Sequence, residues 1–512
     1  MPGRFVLPVQ TASLGPTSLA PSANIAYNPA TMDGARRVIG LVLLAAVAMA
    51  MRVGTVCLLS TAHTERLTYE HGEIAENLLA GKGFTTTFLG VEGKTSQQAP
   101  FYPLLLALAY SCFGSDSSSA LLAVQLLQCV AGTGLVLAVV WLTWSVAADR
   151  PLVGWLAGIA AAVYPTHVYM VTHLQVALWA ALVLTLLLAV VVSPRWQATK
   201  RGAVLAGCLS GLLLLIEPIL VLALPVSALV MWLGRSDDGN YRTRITRRAA
   251  ARVAVFAATT LLVILPWLVR NRLVHGEWVF IKSSFGYAFW QGNNSISWGT
   301  DKVPKPSAEW LRNGHDGTLS GMDRALWEAR HENLYIDDIL LKPTGYREFA
   351  GLTEPQRSRL LGQKAWQFVR RHPARYAGLC LQRLKYFLLF DETNPKAANR
   401  LYRLATVVWL VTAVVGLLAS HRRWRQLWPT YAVFALVTIF HALVIVSVRF
   451  RIPVEPLGMI WAAAAIAPLT VHLERKPQIP VLRPGERDDA VFGRQHPLKG
   501  PHWKARSKRR VA

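Results

Sequence analysis

The stretch LQVALWAALVLTLLLAVVVS, residues 174–193, carries no charged side chain along its whole length. A helix needs roughly 20 apolar residues to cross the ~30 Å hydrocarbon core of a bilayer, and this run supplies them. Pro194 closes it, and Arg195, Lys200 and Arg201 follow. An apolar run of this length that ends in cations reads as a transmembrane helix whose end faces the inner side.

Outward from this stretch, similar runs occur at 38–60, 118–147, 152–172, 203–217, 218–234, 252–270, 401–419, 429–448 and 453–472, ten candidate spans in all. The break at Glu217-Pro218 lies between two short runs, which one kinked helix would also explain. The run 101–113 is too short to span and predicts a helix at, or dipping into, the membrane surface. The 512 residues are 53% hydrophobic and only 16% charged, with a mean hydropathy of +0.32. Soluble proteins carry roughly 25% charged residues. The 18 Trp, 17 Phe and 14 Tyr exclude a disordered chain. Five cysteines, an odd and sparse count, exclude a disulfide scaffold; all lie in apolar runs as small hydrophobes.

The 54 Lys and Arg against 29 Asp and Glu leave a net charge of +25. That excess suits either a nucleic-acid binder or a membrane protein with basic inner loops, and its position decides. Arg36 and Arg37 precede the first run and hold that end inside. Arg195, Lys200 and Arg201, then Arg235 to Arg252, then Arg422, Arg423 and Arg425, then the basic residues of 475–510, all fall on that same side under an alternating ten-span arrangement. Nucleic acid is therefore not an expected partner. Membrane lipids are, with the basic tail beside anionic headgroups.

The fold class expected is an all-α polytopic membrane protein of about ten transmembrane helices, with two extracytoplasmic loop regions containing short surface helices. Residues 1–37 read as a disordered cytoplasmic N-terminus, and 38–270 as an N-terminal transmembrane module that includes an outer loop at 61–117. Residues 271–400 read as an extracytoplasmic loop domain, 401–472 as the C-terminal spans and 473–512 as a basic cytoplasmic tail. No internal repeat of 20 to 50 residues is visible.

The first outer loop contains Tyr69-Glu70-His71-Gly72-Glu73-Ile74-Ala75-Glu76, and its apolar spacing predicts a helix that Gly81 terminates. Glu70 and Glu73 are neighbours on that helix. A carboxylate just beyond a span can act as a general base, though an amphipathic helix with solvated glutamates explains the same spacing. Pro100 and Pro103 flank Phe101-Tyr102 and mark a helix start. Arg270, Arg383, Arg449 and Arg451 fall on the outer side, against the charge rule. Phosphate binding explains such cations; so do headgroup contact and, for Arg451 beside Glu455, a structural ion pair. Neither a nucleophile elbow nor a phosphate-binding Gly loop occurs.

Taken in order, "IAENLLAGKGF", "PFYPLLLAL", "PWLVRNRLVHGEWV", "FWQGNN", "HPARY…RLKYF" and "RFRIPVEP" resemble bacterial GT-C fold glycosyltransferases over roughly residues 38–472. The resemblance is to the dolichyl-phosphate-mannose protein mannosyltransferase-like and aminoarabinose transferase-like membrane proteins. It implies a polyprenyl-phosphate-linked sugar donor and an acceptor that is a glycolipid, polysaccharide or protein. It further implies a bacterial inner-membrane enzyme with cytoplasmic termini and an extracytoplasmic active site. Glu70 matches the family's base, with Glu73 in reserve. Arg270, Arg449 and Arg451, and also Arg383, match the positions for donor phosphate. Tyr69, His71, Tyr102, His173, Gln175, Glu217, Trp290 and Asn293 are the expected cavity lining.

Two positions depart from the pattern: Gln175 stands where Glu is expected, and Glu217 precedes a proline where a neutral residue is usual. No cofactor is required by the resemblance, and divalent metal use stays open, with His71 and His173 as conceivable ligands of a softer ion. The competing reading is a transporter or lipid-linked-glycan flippase. It needs ionisable residues inside spans, and only Arg52, Glu217 and His441 approach that.

Overall fold

The computed structural model describes residues 29–59, 66–147, 151–234, 247–304 and 317–474, without side chains for 29–33, 422 and 466–474. Of the expected disordered N-terminus 1–37, residues 1–28 lie outside the described residues, as do the basic tail from 475 and Arg235, Arg242 and Arg244; residues 29–37 open the first helix instead.

Helix α1 (Pro29–Leu58) is followed by α2 (Tyr69–Leu79) and a hairpin of β1 (Thr85–Phe88) and β2 (Val91–Lys94). Then come α3 (Phe101–Phe113), α4 (Ser118–Val146), α5 (Pro151–Val163), α6 (Pro165–Met170) and α7 (Ala177–Val192). Helix α8 (Lys200–Ile216), a 3-10 turn (Pro218–Leu222), α9 (Ala223–Leu233) and α10 (Arg247–His275) complete the first half. The long loop region holds α11 (Phe285–Gly292), β3 (Lys302–Val303), α12 (Leu319–His331), β4 (Leu334–Tyr335), α13 (Glu354–Arg371) and α14 (Pro373–Leu388). Helices α15 (Arg400–Ala419), α16 (Trp424–Leu443) and α17 (Glu455–Glu474) close the chain.

All ten apolar runs are helical, but five helices among the described residues are by themselves long and apolar enough to cross a membrane. They are Gly34–Leu58, Ser118–Val146, Arg247–His275, Arg400–Ala419 and Trp424–Leu443. The expected count of about ten spans is thus not carried helix by helix. Helix α5 has 13 residues and α7 has 16, rises of about 20 and 24 Å. Pro165 lacks the N–H that would continue α5, so the run 152–172 splits there. Glu217 is extended (φ −144°, ψ 96°), so 203–217 and 218–234 are separate elements and not one kinked helix.

The split after α5 leaves its last carbonyls without helical partners. Arg52 of α1, fully buried, donates to Ala162 O at 3.3 Å and Ala161 O at 3.2 Å. This intramembrane cation closes a helix end and does not line the large cavity described below.

The run that opened the reading lies at the centre. Helix α7 is buried almost throughout and packs against α4, α8 and α9. Helices α8 and α10 meet through small residues. A Cβ on Gly211 would stand 2.5 Å from Val263 Cβ, and one on Gly207 would stand 2.8 Å from Phe256 O. Small residues let helix backbones approach closely in a lipid surround. The short helix α3 packs its Tyr102, Leu106 and Tyr110 face toward α2 and α4, leaving Leu104 and Leu108 exposed.

Helix α2 occupies the expected place, and Gly81 follows it with φ +77°. The β1–β2 hairpin was not expected: its Leu89-Gly90 turn has both φ values positive, +52° and +75°, the geometry of a two-residue type I′ connection. Gly211→Leu should overpack the α8–α10 contact and cost about 1–3 kcal/mol, read as a lower melting temperature in detergent. Gly54→Ala, where nothing stands within 4 Å of a new Cβ, should leave the melting temperature unchanged.

Candidate active site

A cavity of about 1220 Å³ opens where the N-terminal end of α2, the turns after α6 and α8, helix α11, helix α12 and the turn at 448–452 converge. It gathers Tyr69, Glu70, His71, His173, Gln175, Glu217 and Arg449 from the expected set. Tyr69 starts α2 with φ +52°, a left-handed backbone that costs a non-glycine residue about 1 kcal/mol or more. Its buried hydroxyl has no hydrogen-bond partner among the described residues, and the Arg330 guanidinium lies 5.1 Å from its ring centre. Burial pushes the Tyr69 phenol up to about 12. Glu70 follows in the first turn of the helix, where the aligned peptide dipoles favour a carboxylate. It makes no hydrogen bond or ion pair among the described residues.

Burial, with Lys282 and Arg449 nearby, lowers the His71 imidazole to about 3, so the ring is neutral. It packs edge-on to Tyr102 at 5.2 Å. His173 is held below its ordinary range by burial and then by Lys396, whose Nζ lies 2.8 Å from His173 Nε2. Among the described residues no group of three or more His, Cys, Asp or Glu stands together as a metal-ligand set.

The other expected residues do not line the cavity, and each has a structural partner. Glu73 accepts from Thr86 Oγ1 at 2.5 Å and Thr87 N at 2.8 Å, fastening α2 to β1. Tyr102 donates to Gln128 Oε1 at 3.0 Å. Trp290 packs in an apolar cluster with Phe88, Phe289 and Phe349. Asn293 donates to Phe289 O and Val444 O.

Three of the four arginines expected on the outer side are also structural ties. Arg270 donates to Thr95 O at 2.5 Å and Phe84 O at 3.1 Å, joining the first loop to α10. Arg383 is fully buried and donates to Ala442 O, Gly292 O and Leu443 O. Arg451 pairs with Glu455 at 2.7 Å and donates to Phe387 O, Leu388 O and Leu389 O. Irregular backbone buried away from water needs such donors. Of the four, Arg449 alone lines the cavity, with no hydrogen bond or ion pair among the described residues.

The cavity also contains charged residues that no sequence pattern singled out: Lys282, Asp301, Lys302, Asp323, Arg330, Asp337 and Lys396. They are spread across the long loop without periodic spacing, so composition was the only signal. Lys302 pairs with Asp301 at 2.8 Å. Tyr287 donates to Asp337 Oδ2 at 2.5 Å, and burial raises the Asp337 carboxyl.

Arg270→Gln, Arg383→Gln and Arg451→Gln should each lower the melting temperature, since a buried group left without a partner costs about 1–3 kcal/mol. Arg449→Gln should leave it unchanged. His71 gives a pH effect of known sign. The folded ring stays uncharged down to about 3, whereas the unfolded chain takes up a proton below 6.5. Its contribution to stability is complete above 6.5 and is lost as the pH falls toward 3, by about 1.4 kcal/mol per unit. Thermal unfolding of His71→Gln should therefore show a shallower loss between pH 7 and pH 5 than the parent.

No protein-family profile matches the chain, and no curated protein matches it. Two solved structures follow a similar chain course. One is the archaeal oligosaccharyltransferase AglB from Archaeoglobus fulgidus in complex with an inhibitory peptide and a dolichol-phosphate: 15% identity, TM-score 0.48, covering 86% of this chain and 51% of that one. The other is ArnT from Cupriavidus metallidurans bound to undecaprenyl phosphate: 18% identity, TM-score 0.36, covering 84% of this chain and 77% of that one. The chain spans about half the length of the archaeal structure. Both are GT-C fold glycosyltransferases, the kind of protein the sequence motifs resemble. At these identities and TM-scores the likeness carries no weight for the chemistry, which rests on the cavity's own residues.

Proposed function

We propose that this chain is a multi-pass membrane glycosyltransferase of the GT-C type, moving a sugar from a polyprenyl-phosphate donor to an extracytoplasmic acceptor. In this reading it sits in a bacterial inner membrane with both termini inside and the cavity outside. The observation that carries it is one cavity holding a carboxylate, Glu70, and two cations, Arg449 and Lys282, none of them paired among the described residues. The same cavity has an apolar flank that includes Met51, Leu59, Val163, Phe280 and Phe440. A lipid tail suits the flank, its phosphate suits the cations, and a hydroxyl acceptor suits the carboxylate.

Glu70 takes the proton from an acceptor hydroxyl as that oxygen attacks the anomeric carbon. The bond from that carbon to the phosphate oxygen breaks, and the polyprenyl phosphate leaves with the bonding pair. Arg449 and Lys282 hold the charge that develops on it. Attack opposite the leaving group inverts the anomeric centre. Neutral His71, near these cations and edge-on to Tyr102, adds no competing positive charge and packs the start of α2 against α3.

The transport reading has less support. Of its three ionisable groups, Arg52 is spent on the carbonyls of Ala161 and Ala162, and the Nδ1 of His441 lies 2.9 Å from Ile445 O. That leaves Glu217, a single carboxylate on the cavity wall, where a transport path needs a series of such groups.

Glu70→Gln should lower transfer from a radiolabelled polyprenyl-phosphate sugar in membranes by about 10²-fold or more, with protein level and melting temperature unchanged. Transfer at the parent rate would remove Glu70 as the base.

A further inference from the structure

Helix α12 crosses one wall of the cavity and is latched there by a single carboxylate. Arg66 donates to Asp323 at 3.0 and 2.8 Å, and the Tyr169 hydroxyl donates to Asp323 Oδ1 at 2.5 Å. Asp323 is thereby engaged and is the acidic group beside a dense set of cations. Arg330, about two turns further along the same helix, lines the cavity with no hydrogen bond or ion pair among the described residues, and its buried Nε lacks a partner. Its guanidinium lies 5.1 Å from the ring centres of both Tyr69 and Trp327. Lys396 lies near them: among the described residues its Nζ meets the neutral His173 ring at 2.8 Å and the Tyr169 ring at 5.2 Å.

The guanidiniums of Arg66 and Arg330 and the Lys396 amine thus gather around one carboxylate, Asp323, in a site walled by aromatic rings. Burial, with Arg330 and Arg66 next, drives Lys396 well below the usual lysine range, and an anion entering beside it favours its protonated form. A cluster so short of negative charge binds an anion with charge-assisted hydrogen bonds and little reorganisation, because ring contacts already hold the cations. Lys302 adds a further positive charge near Lys396. Arg449 lies over the Phe450 ring, 5.4 Å from its centre.

We propose that Arg330 and Lys396 form a second anion subsite, which takes a carboxylate or phosphate group carried by the acceptor, apart from the lipid phosphate at Arg449 and Lys282. This rests on the transferase reading above. It makes the acceptor an acidic glycan or a phosphorylated glycolipid, gripped by its charge while its hydroxyl faces Glu70.

The test uses the full chain in phosphatidylcholine nanodiscs, titrated with glucuronate and with inorganic phosphate while undecaprenyl phosphate occupies the lipid site. Arg330→Gln and Lys396→Gln should each weaken binding of the soluble anions by about tenfold or more, and Lys396→Arg should restore it. Lys342→Gln, a cavity cation already paired with Asp338, should bind as the parent does. Undecaprenyl phosphate binding should fall in Arg449→Gln and hold in Arg330→Gln and Lys396→Gln. Parent-like anion binding in both Lys396→Gln and Arg330→Gln overturns the subsite. Loss of undecaprenyl phosphate in those two variants also overturns it, since the lipid would then be the source of the anion. If Arg449→Gln keeps undecaprenyl phosphate while Arg330→Gln and Lys396→Gln lose the soluble anions, the subsite stands and the lipid-phosphate assignment falls.

Discussion

Backbone carbonyls released by helix breaks inside an apolar body have no water to bond, and arginine side chains supply the missing donors. Arg52 closes α5, where Pro165 stops the helix. Arg383 spans Gly292, Ala442 and Leu443, drawing the long loop onto the end of α16. Arg451 takes three consecutive carbonyls at the end of α14 and pairs with Glu455, which also meets His167 at 3.1 Å. A guanidinium has five donors in a planar fork, so one residue can tie several segments of irregular chain, which a lysine cannot match. The loops keep their places over the helices because these ties hold.

The same constraint separates structural from available charge. An arginine surrounded by carbonyls has its donors used; a cavity cation without such acceptors keeps them for a ligand. Arg449 and Arg451 are two residues apart and fall on opposite sides of this division. Glu70 and Glu73 divide in the same way, the second being held by Thr86 and Thr87. The hairpin that claims Glu73 thus leaves one carboxylate of the pair facing the cavity.

Much of the helical framework was legible in the chain. Ten apolar runs became helices because a backbone in an apolar surround must bond within itself. Helix α2 and its terminating Gly81 followed from apolar spacing and from the left-handed backbone that glycine tolerates. The span count was less legible, since hydropathy measures composition over a window while Pro165 and Glu217-Pro218 shorten helices at single residues. The β1–β2 hairpin was missed because Leu89 occupies a positive-φ position where Asn or Asp gives the usual signal. In the cavity, Tyr69, Glu70 and His71 were found because they are consecutive. Lys282, Arg330 and Lys396 were not, because nothing in sequence links residues drawn from three separate elements.

The amino-acid sequence by itself determined that this chain is mostly apolar helix and where those helices lie. Those are properties of local composition and period. Only the tertiary structure decided which cations remain available. That depends on where carbonyls from distant segments end, and a charge buried among them is consumed by desolvated backbone whatever its position in the chain.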